Sequence, residues 1–179
     1  MASILSVEQL QGLNSGSTPN TITVPAGQKI IGTDASSIVA PGHVLQVVQS
    51  TFNTENLTTS SSWTNTGFTG AITPTNSTSK VLALCQIPFM SYNNSSNECI
   101  GLGRLLRGSS NSGYIVANGY DYGGQGQIIN HTAALNWLDS PATTNATTYT
   151  FQMSHQTGTQ TRICYQNAQA HMILMEIAQ

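Results

Sequence analysis

The stretch SKVLALCQIPF, Ser79 to Phe89, is the most hydrophobic of the chain, and both of its alternating faces are apolar. In a strand, successive side chains point to opposite sides. Val81, Ala83, Cys85 and Ile87 therefore share one side, and Leu82 and Leu84 the other. A strand of that kind is central and covered twice. In an all-β protein this places the core of a sandwich on one face and a subunit contact on the other. The segment is too short for a membrane span.

The flanking segments repeat the theme. HVLQVVQST (from His43) alternates, with Val44 and Val48 expected on one side and Leu45 and Val47 on the other. SSWTNTGFTGAITPT carries Trp63, Phe68 and Ile72 among Thr and Gly, which predicts a bulged strand. ECIGLGRLLRGSSNSGYIVANG holds a strand ending at Arg104 to Arg107 and then the turn Gly108 to Asn111, and GYDYGGQGQ reads as a Gly/Tyr loop. IINHTAALNWLD predicts a strand with Leu135 and Trp137 on one side. TTYTFQMSH aligns Tyr149, Phe151 and Met153. TRICYQN is a short strand, and HMILMEIA sets Ile173, Met175 and Ile177 opposite Met172, Leu174 and Glu176.

Between two of these strands lies WLDSPATTNATTYTFQM, Trp137 to Met153. Pro141 cannot donate to a ladder, and Asp139 and Ser140 favour a turn. The Thr/Asn/Ala run then crosses one end of the structure. Strand and turn signals recur every 8 to 15 residues or so, with no convincing long helix. That pattern defines an all-β fold, an antiparallel β-sandwich of jelly-roll type.

The first 42 residues differ. SVEQ (6–9) fits a capping box opening one helical turn, or an extended piece, since Leu5 and Val7 alternate. LNSGSTPN is a loop by composition. TITVPAGQKIIGTDASSIVAPG has apolar pairs too short to form a core alone. Residues 1–42 are expected to be an extended arm that packs against something else, and residues 43–179 the sandwich.

Composition narrows the function. Of 179 residues, 7% are charged, against about 25% in typical domains. Ser, Thr, Asn, Gln and Gly supply the polar surface instead. Solubility then rests on hydroxyls and amides, or on surface covered by neighbouring subunits, and an oligomer is expected. A net charge of −2 offers nothing to nucleic acid or anionic lipid. The N-terminus lacks a signal-peptide pattern. Cys85, Cys99 and Cys164 form no C-x-x-C pair, so free thiols made in a reducing cytoplasm are expected, with Cys85 buried.

Catalytic constellations are not legible. There is no G-x-S-x-G elbow, and His43, His131, His155 and His171 lack metal-ligand spacing. The carboxylates Glu8, Asp34, Glu55, Glu98, Asp121, Asp139 and Glu176 sit mostly in turns or strand ends, a poor supply for paired-carboxylate hydrolysis. No enzyme, cofactor or metal is expected. Two features suit surface contact. Tyr114, Tyr120 and Tyr122 beside Gly-rich turns could stack on sugar rings, or cover the end of the core or a subunit seam. Arg104 and Arg107 could pair with a carboxylate across an interface, or simply be solvated at a strand end.

In serial order, ASILSVEQLQG, PGHVLQVVQS, ITPTNSTSKVLALCQI, RLLRGSS, WLDSPATTNATTYTFQM and ILMEIAQ resemble a group of short virion proteins of tailed bacteriophages. That group is typical of cyanophages and other marine phages, and its members are often labelled tail-fibre or structural proteins. The resemblance runs over nearly the whole chain. It implies a jelly-roll-like module assembled as a homotrimer in a fibre, or as a decoration on the particle, with an N-terminal arm for attachment. The implied partners are copies of itself, other virion proteins (tail, baseplate or capsid) and a host-surface glycan. The implied location is the virion, assembled in the host cytoplasm. The chain departs from long tail fibres in lacking an extended shaft.

Overall fold

In the computed structural model the described residues are 22, 24–32, 38–94, 98–108, 116–122 (backbone only) and 126–179. The chain divides into two compact units, Met1–Ile38 and Val39–Gln179. In the first, the described residues include a turn closed by the Gln28 N–H donating to the Pro25 carbonyl (3.0 Å). Ile30 and Ile31 are exposed there. The expected helical turn at Ser6 to Gln9 lies outside the described residues.

Among the described residues the second unit holds ten strands: β1 (Val44–Phe52), β2 (Asn56–Thr58), β3 (Thr64–Ile72), β4 (Lys80–Asn93), β5 (Glu98–Arg107), β6 (Val116–Tyr122), β7 (Gln127–Asp139), β8 (Thr147–Thr157), β9 (Gln160–Ile163) and β10 (Ala170–Ile177). All their pairings are antiparallel. One sheet has six strands, organised on β4, and the other runs β3-β8-β5-β6. β7 follows one edge of β4 from Val81 to Asn93. The other edge is shared end to end, by β10 as far as Gln86 and by β9 from Phe89. Outside them, β1 pairs with β10 and β2 with β9.

β9 and β10 are thus one interrupted strand, and so are β1 and β2. Counted that way, eight strands form the sheets 1-8-3-6 and 2-7-4-5. Each strand pairs with the one equally far from the opposite end of the chain, as in a long hairpin rolled into two layers. This is a jelly roll, and the sandwich expected from the sequence is present.

The interruption explains Pro88, a residue normally excluded from a central strand. Cys164 N–H donates to the Pro88 carbonyl at 3.0 Å, so that edge of Pro88 faces the break between β9 and β10. The donor that proline lacks would have pointed at a turn, where no ladder bond is lost. The turn is a short 3-10 segment, Tyr165–Asn167, with Cys164, Gln166 and Asn167 all at positive φ.

The core lies between the sheets. Val81, Cys85, Ile87 and Phe89 of β4 face Phe68, Leu105, Tyr149, Phe151 and Met153 of the other sheet, with Leu135, Met172 and Leu174 beside them. Full burial of each such side chain is worth about 1.5–3 kcal/mol. The inward alignments expected for Leu135 with Trp137 and for Tyr149, Phe151 and Met153 hold, as does the bulge in β3, where Gly67 has φ 82. Cys85, Cys99 and Cys164 are buried.

Two expectations need correction. Val44 and Val48 do not share a face: a bulge between Val44 and Gln46 puts Val44 with Val47 on the outside, opposite Ile177 and Met175, and Val48 inside opposite Leu174. The Gly/Tyr segment from Gly119 to Tyr122 is not a loop but the second half of β6, paired with Glu98 to Gly101 of β5. Glycines facing each other at Gly101 and Gly119 still permit a ladder, because the ladder uses only backbone groups.

Gly103 marks a close approach of side chains to the backbone in the core. A Cβ there would lie 2.5 Å from the Phe151 ring and 3.3 Å from that of Phe89. Gly103→Ala is therefore expected to destabilise the fold by about 1–3 kcal/mol through overpacking. Urea unfolding followed by tryptophan fluorescence measures it, and an unchanged midpoint would contradict this account of the contact.

Candidate functional site

Two buried carboxylates come first, because buried charge is where chemistry is usually found. Glu176 is fully buried. Its Oε1 accepts from the Thr75 N–H (2.8 Å), the Thr75 hydroxyl (2.8 Å) and the Asn76 N–H (3.3 Å). Its Oε2 accepts from Gln46 Nε2 at 2.6 Å. Burial alone would raise this carboxyl, but the donors from Gln46 and Thr75, with Ser79 nearby, outweigh it and hold it below the usual range. The group is a latch that ties the β3–β4 connection to β10 and β1. The sequence placed Glu176 on one side with Met172 and Leu174, and the structure makes that side the inner one; nothing local announced its partners.

Asp139 stands in the same cross-strand row, on the far side of Val81. Arg107 NH1 donates to both of its carboxylate oxygens at 2.9 Å and to the Ser140 carbonyl at 2.9 Å. The Tyr149 hydroxyl donates to Oδ2 at 2.8 Å. Burial first, and then the Asp139 carboxylate, raise the Tyr149 phenol far above its usual range, so it stays protonated. Trp137 meets the Tyr149 ring edge-on, with centroids 5.5 Å apart. The Asp-Ser-Pro turn and the strand after it are thereby joined through side chains of the same stretch.

Neither carboxylate is arranged for proton transfer, and Cys85 is no nucleophile: burial pushes its thiol up to about 12. Burial also lowers His131, whose ring packs on Phe89 at 5.2 Å. Among the described residues, no three His, Cys, Asp or Glu side chains gather as metal ligands.

The outward surfaces remain. On the four-stranded sheet, Arg104 lies 4.3 Å from the centroid of Trp63 and donates through Nε to Gln152 Oε1 at 2.8 Å. Gln152 in turn donates to Asn65 Oδ1 at 2.6 Å. Arg104, Gln152 and Asn65 occupy one cross-strand row of β5, β8 and β3. Of the residues singled out in the sequence, Arg107 is bound within its own chain and Arg104 joins this row. Tyr120 and Tyr122 lie in β6 opposite Ile100 and Glu98, their side chains outside the described set, and Tyr114 lies outside the described residues. Trp63, Gln152 and Asn65 escaped sequence reasoning, since only the β3–β8–β5 pairing brings them to Arg104.

On the six-stranded sheet the outer face is apolar at both ends. Val47, Met175, Leu82 and Leu138 stand in one row across β1, β10, β4 and β7. Val47 is 57% exposed and Leu138 53%. Toward the other end, Tyr92 stands beside Ile128, and Leu57 beside Arg162, which pairs with Glu55 at 2.8 Å. Between the ends lies a depression of about 430 Å³ lined by Gln49, Gln86, Asn136 and His171 among Leu84 and Ile173.

These surfaces and the strand order define an all-β, jelly-roll sandwich with no recognisable catalytic centre among the described residues. The sequence matches no known protein-family profile and no curated protein. Among solved structures, the VP2 subviral particle of infectious bursal disease virus is similar over 87% of this chain and 42% of that chain, with a TM-score of 0.40 and 11% identity. The Gt strain of that virus is similar over 91% and 47%, with a TM-score of 0.39 and 10% identity. The Gx strain is similar over 86% and 42%, with 0.35 and 10%. This chain spans less than half the length of each of those chains.

The latch sets a pH dependence. Because Glu176 is held below its unfolded value of about 4.3, its contribution is complete above that value and is lost as pH falls through the folded one. Glu176→Gln is expected to lower stability at pH 7 and to flatten the acid limb of stability against pH. Urea midpoints from pH 7 to pH 3 test this, and parallel curves for both proteins would refute it. Tyr149→Phe is expected to cost about 1.5–3 kcal/mol, the range for a hydrogen bond to a charged group. Thermal unfolding at neutral pH reads that loss, and a wild-type midpoint would contradict it.

Proposed function

We propose that this chain is a non-enzymatic structural protein of a virion, specifically a homotrimeric fibre-type appendage of a tailed-bacteriophage particle. Residues 1–42 dock on tail, baseplate or head, and the sandwich of residues 43–179 faces outward as the head domain, where it can meet the host surface. The observation that carries this reading is a jelly roll whose buried carboxylates are both engaged in tying loops together, while its broad sheet presents an apolar face. Jelly rolls serve as building blocks of viral shells and of lectins. The serial resemblance to short phage virion proteins and the sparse charge point the same way. A chain that leaves apolar surface open and carries few charges suits a symmetric assembly.

Immunogold electron microscopy of intact particles tests the reading. Label confined to the tail or to one head vertex, at roughly tens of copies or fewer, is the expected result. Label over the whole shell at roughly hundreds of copies would instead make the chain a capsid decoration protein at local threefold axes. Purified particles without label would overturn both.

The row of Arg104, Gln152 and Asn65 beside Trp63 favours a second reading, a carbohydrate-binding, lectin-like module. An aromatic ring flanked by amides and a guanidinium can stack on a sugar and bond its hydroxyls. A glycan array probed with wild type, Trp63→Ala and Tyr120→Ala decides this. Binding lost in Trp63→Ala supports it, and an empty array for the wild type removes it.

A further inference from the structure

We propose that the outer face of the six-stranded sheet is the seat for a second copy of this chain, the surface through which the oligomer is held. The inference rests on the oligomeric reading above and names its seam.

The first ground is extent. The face is four strands wide along its whole length: β1, β10, β4 and β7 at one end, β2, β9, β4 and β7 at the other. At about 4.8 Å per strand and 3.3 Å per residue, it measures about 19 Å by about 45 Å, or about 850 Å². A stable protein–protein interface takes about 800 Å² from each partner. The row of Val47, Met175, Leu82 and Leu138 is flanked by Ile177 and Val44 on one side and by Ile173 and Leu84 on the other. Such a surface is costly to leave in water.

The second ground is chemistry, and it selects the occupant. Lys80 stands at one end of the face, and Arg162 is paired with Glu55 toward the other. Nucleic acid or a strongly charged protein would find no complement here. A lipid surface could cover the two apolar ends. It would cover the amides of Gln86 and Asn136, midway between them, with nothing to bond. The fitting partner is apolar, rich in amides and hydroxyls, and nearly uncharged. This chain is such a partner, with five Lys and Arg and seven Asp and Glu in 179 residues. In a closed symmetric assembly every copy covers the same face.

Light scattering coupled to size-exclusion chromatography of the full chain at micromolar concentration tests the seam. The variants are Val47→Asp, Leu82→Asp and Leu138→Asp, with Thr69→Asp on the outer face of the other sheet as control. Val47 and Leu138 are exposed, so aspartate there is tolerated by a lone sandwich even if Leu82→Asp fails to fold. Circular dichroism and a cooperative melt confirm folding. The expected result is an oligomeric wild type and control, with Val47→Asp and Leu138→Asp folded and monomeric and their dissociation constant raised at least about a hundredfold. Folded variants that keep the wild-type mass would overturn the seam and leave the oligomer standing. A monomeric wild type would remove both. A monomeric wild type that co-sediments with phosphatidylcholine vesicles would replace the second copy by a lipid surface.

Discussion

Strand β4 must satisfy both of its edges and both of its faces, and the rest of the sandwich follows from how it does so. Its 14 residues are too long for one neighbour of ordinary length on each side. β7 matches it fully on one edge, and β10 and β9 divide the other. The division breaks β9 from β10 and β1 from β2. The break also tolerates Pro88. On the inner face β4 supplies Val81, Cys85, Ile87 and Phe89 to the core. On the outer face the same alternation presents Leu82 and Leu84, so burying one side of this strand necessarily exposes the other.

Two buried carboxylates, in one cross-strand row on either side of Val81, hold the same end of the roll by different means. Glu176 is satisfied almost wholly by neutral donors, and Asp139 by a guanidinium and a phenol. Glu176 joins segments far apart in the chain, 130 residues from Gln46, whereas Asp139 is tied to Arg107 and Tyr149, 32 and 10 residues away. A jelly roll pairs its first strand with its last, so the Glu176 tie closes one of the largest loops and opposes a large entropic cost of ordering. Their occupation by structural bonds is also why neither carboxylate resembles a catalytic group, although burial alone would have suggested one.

Much of the candidate surface was legible only in half. The two apolar sides of SKVLALCQIPF were visible as a pattern, and so was the expectation that one of them meets another subunit. The row from Val47 to Leu138 was not, because a row across four strands needs four registers, and a one-residue shift in any of them moves a side chain to the opposite face. β1 shows the effect directly: its bulge sends Val44 outward, where unbroken alternation would have kept it with Val48. Arg104 and Arg107 looked alike in the sequence. Their neighbours separate them, one against Trp63 and one against Asp139.

The sequence by itself determined the strand content, the place of most turns, the inner alignment of Leu135, Tyr149, Phe151 and Met153, and the two-sided character of β4. These are local properties, set by the two-residue period of side chains and by the backbone limits of proline and glycine. Only the tertiary structure decided which strands pair, that Gly119 to Tyr122 extends a ladder, and that Glu176 and Asp139 are buried among donors. Backbone hydrogen bonds are the same for every residue but proline. Pairing between distant strands is therefore chosen by the packing of the whole roll, and no local stretch encodes it.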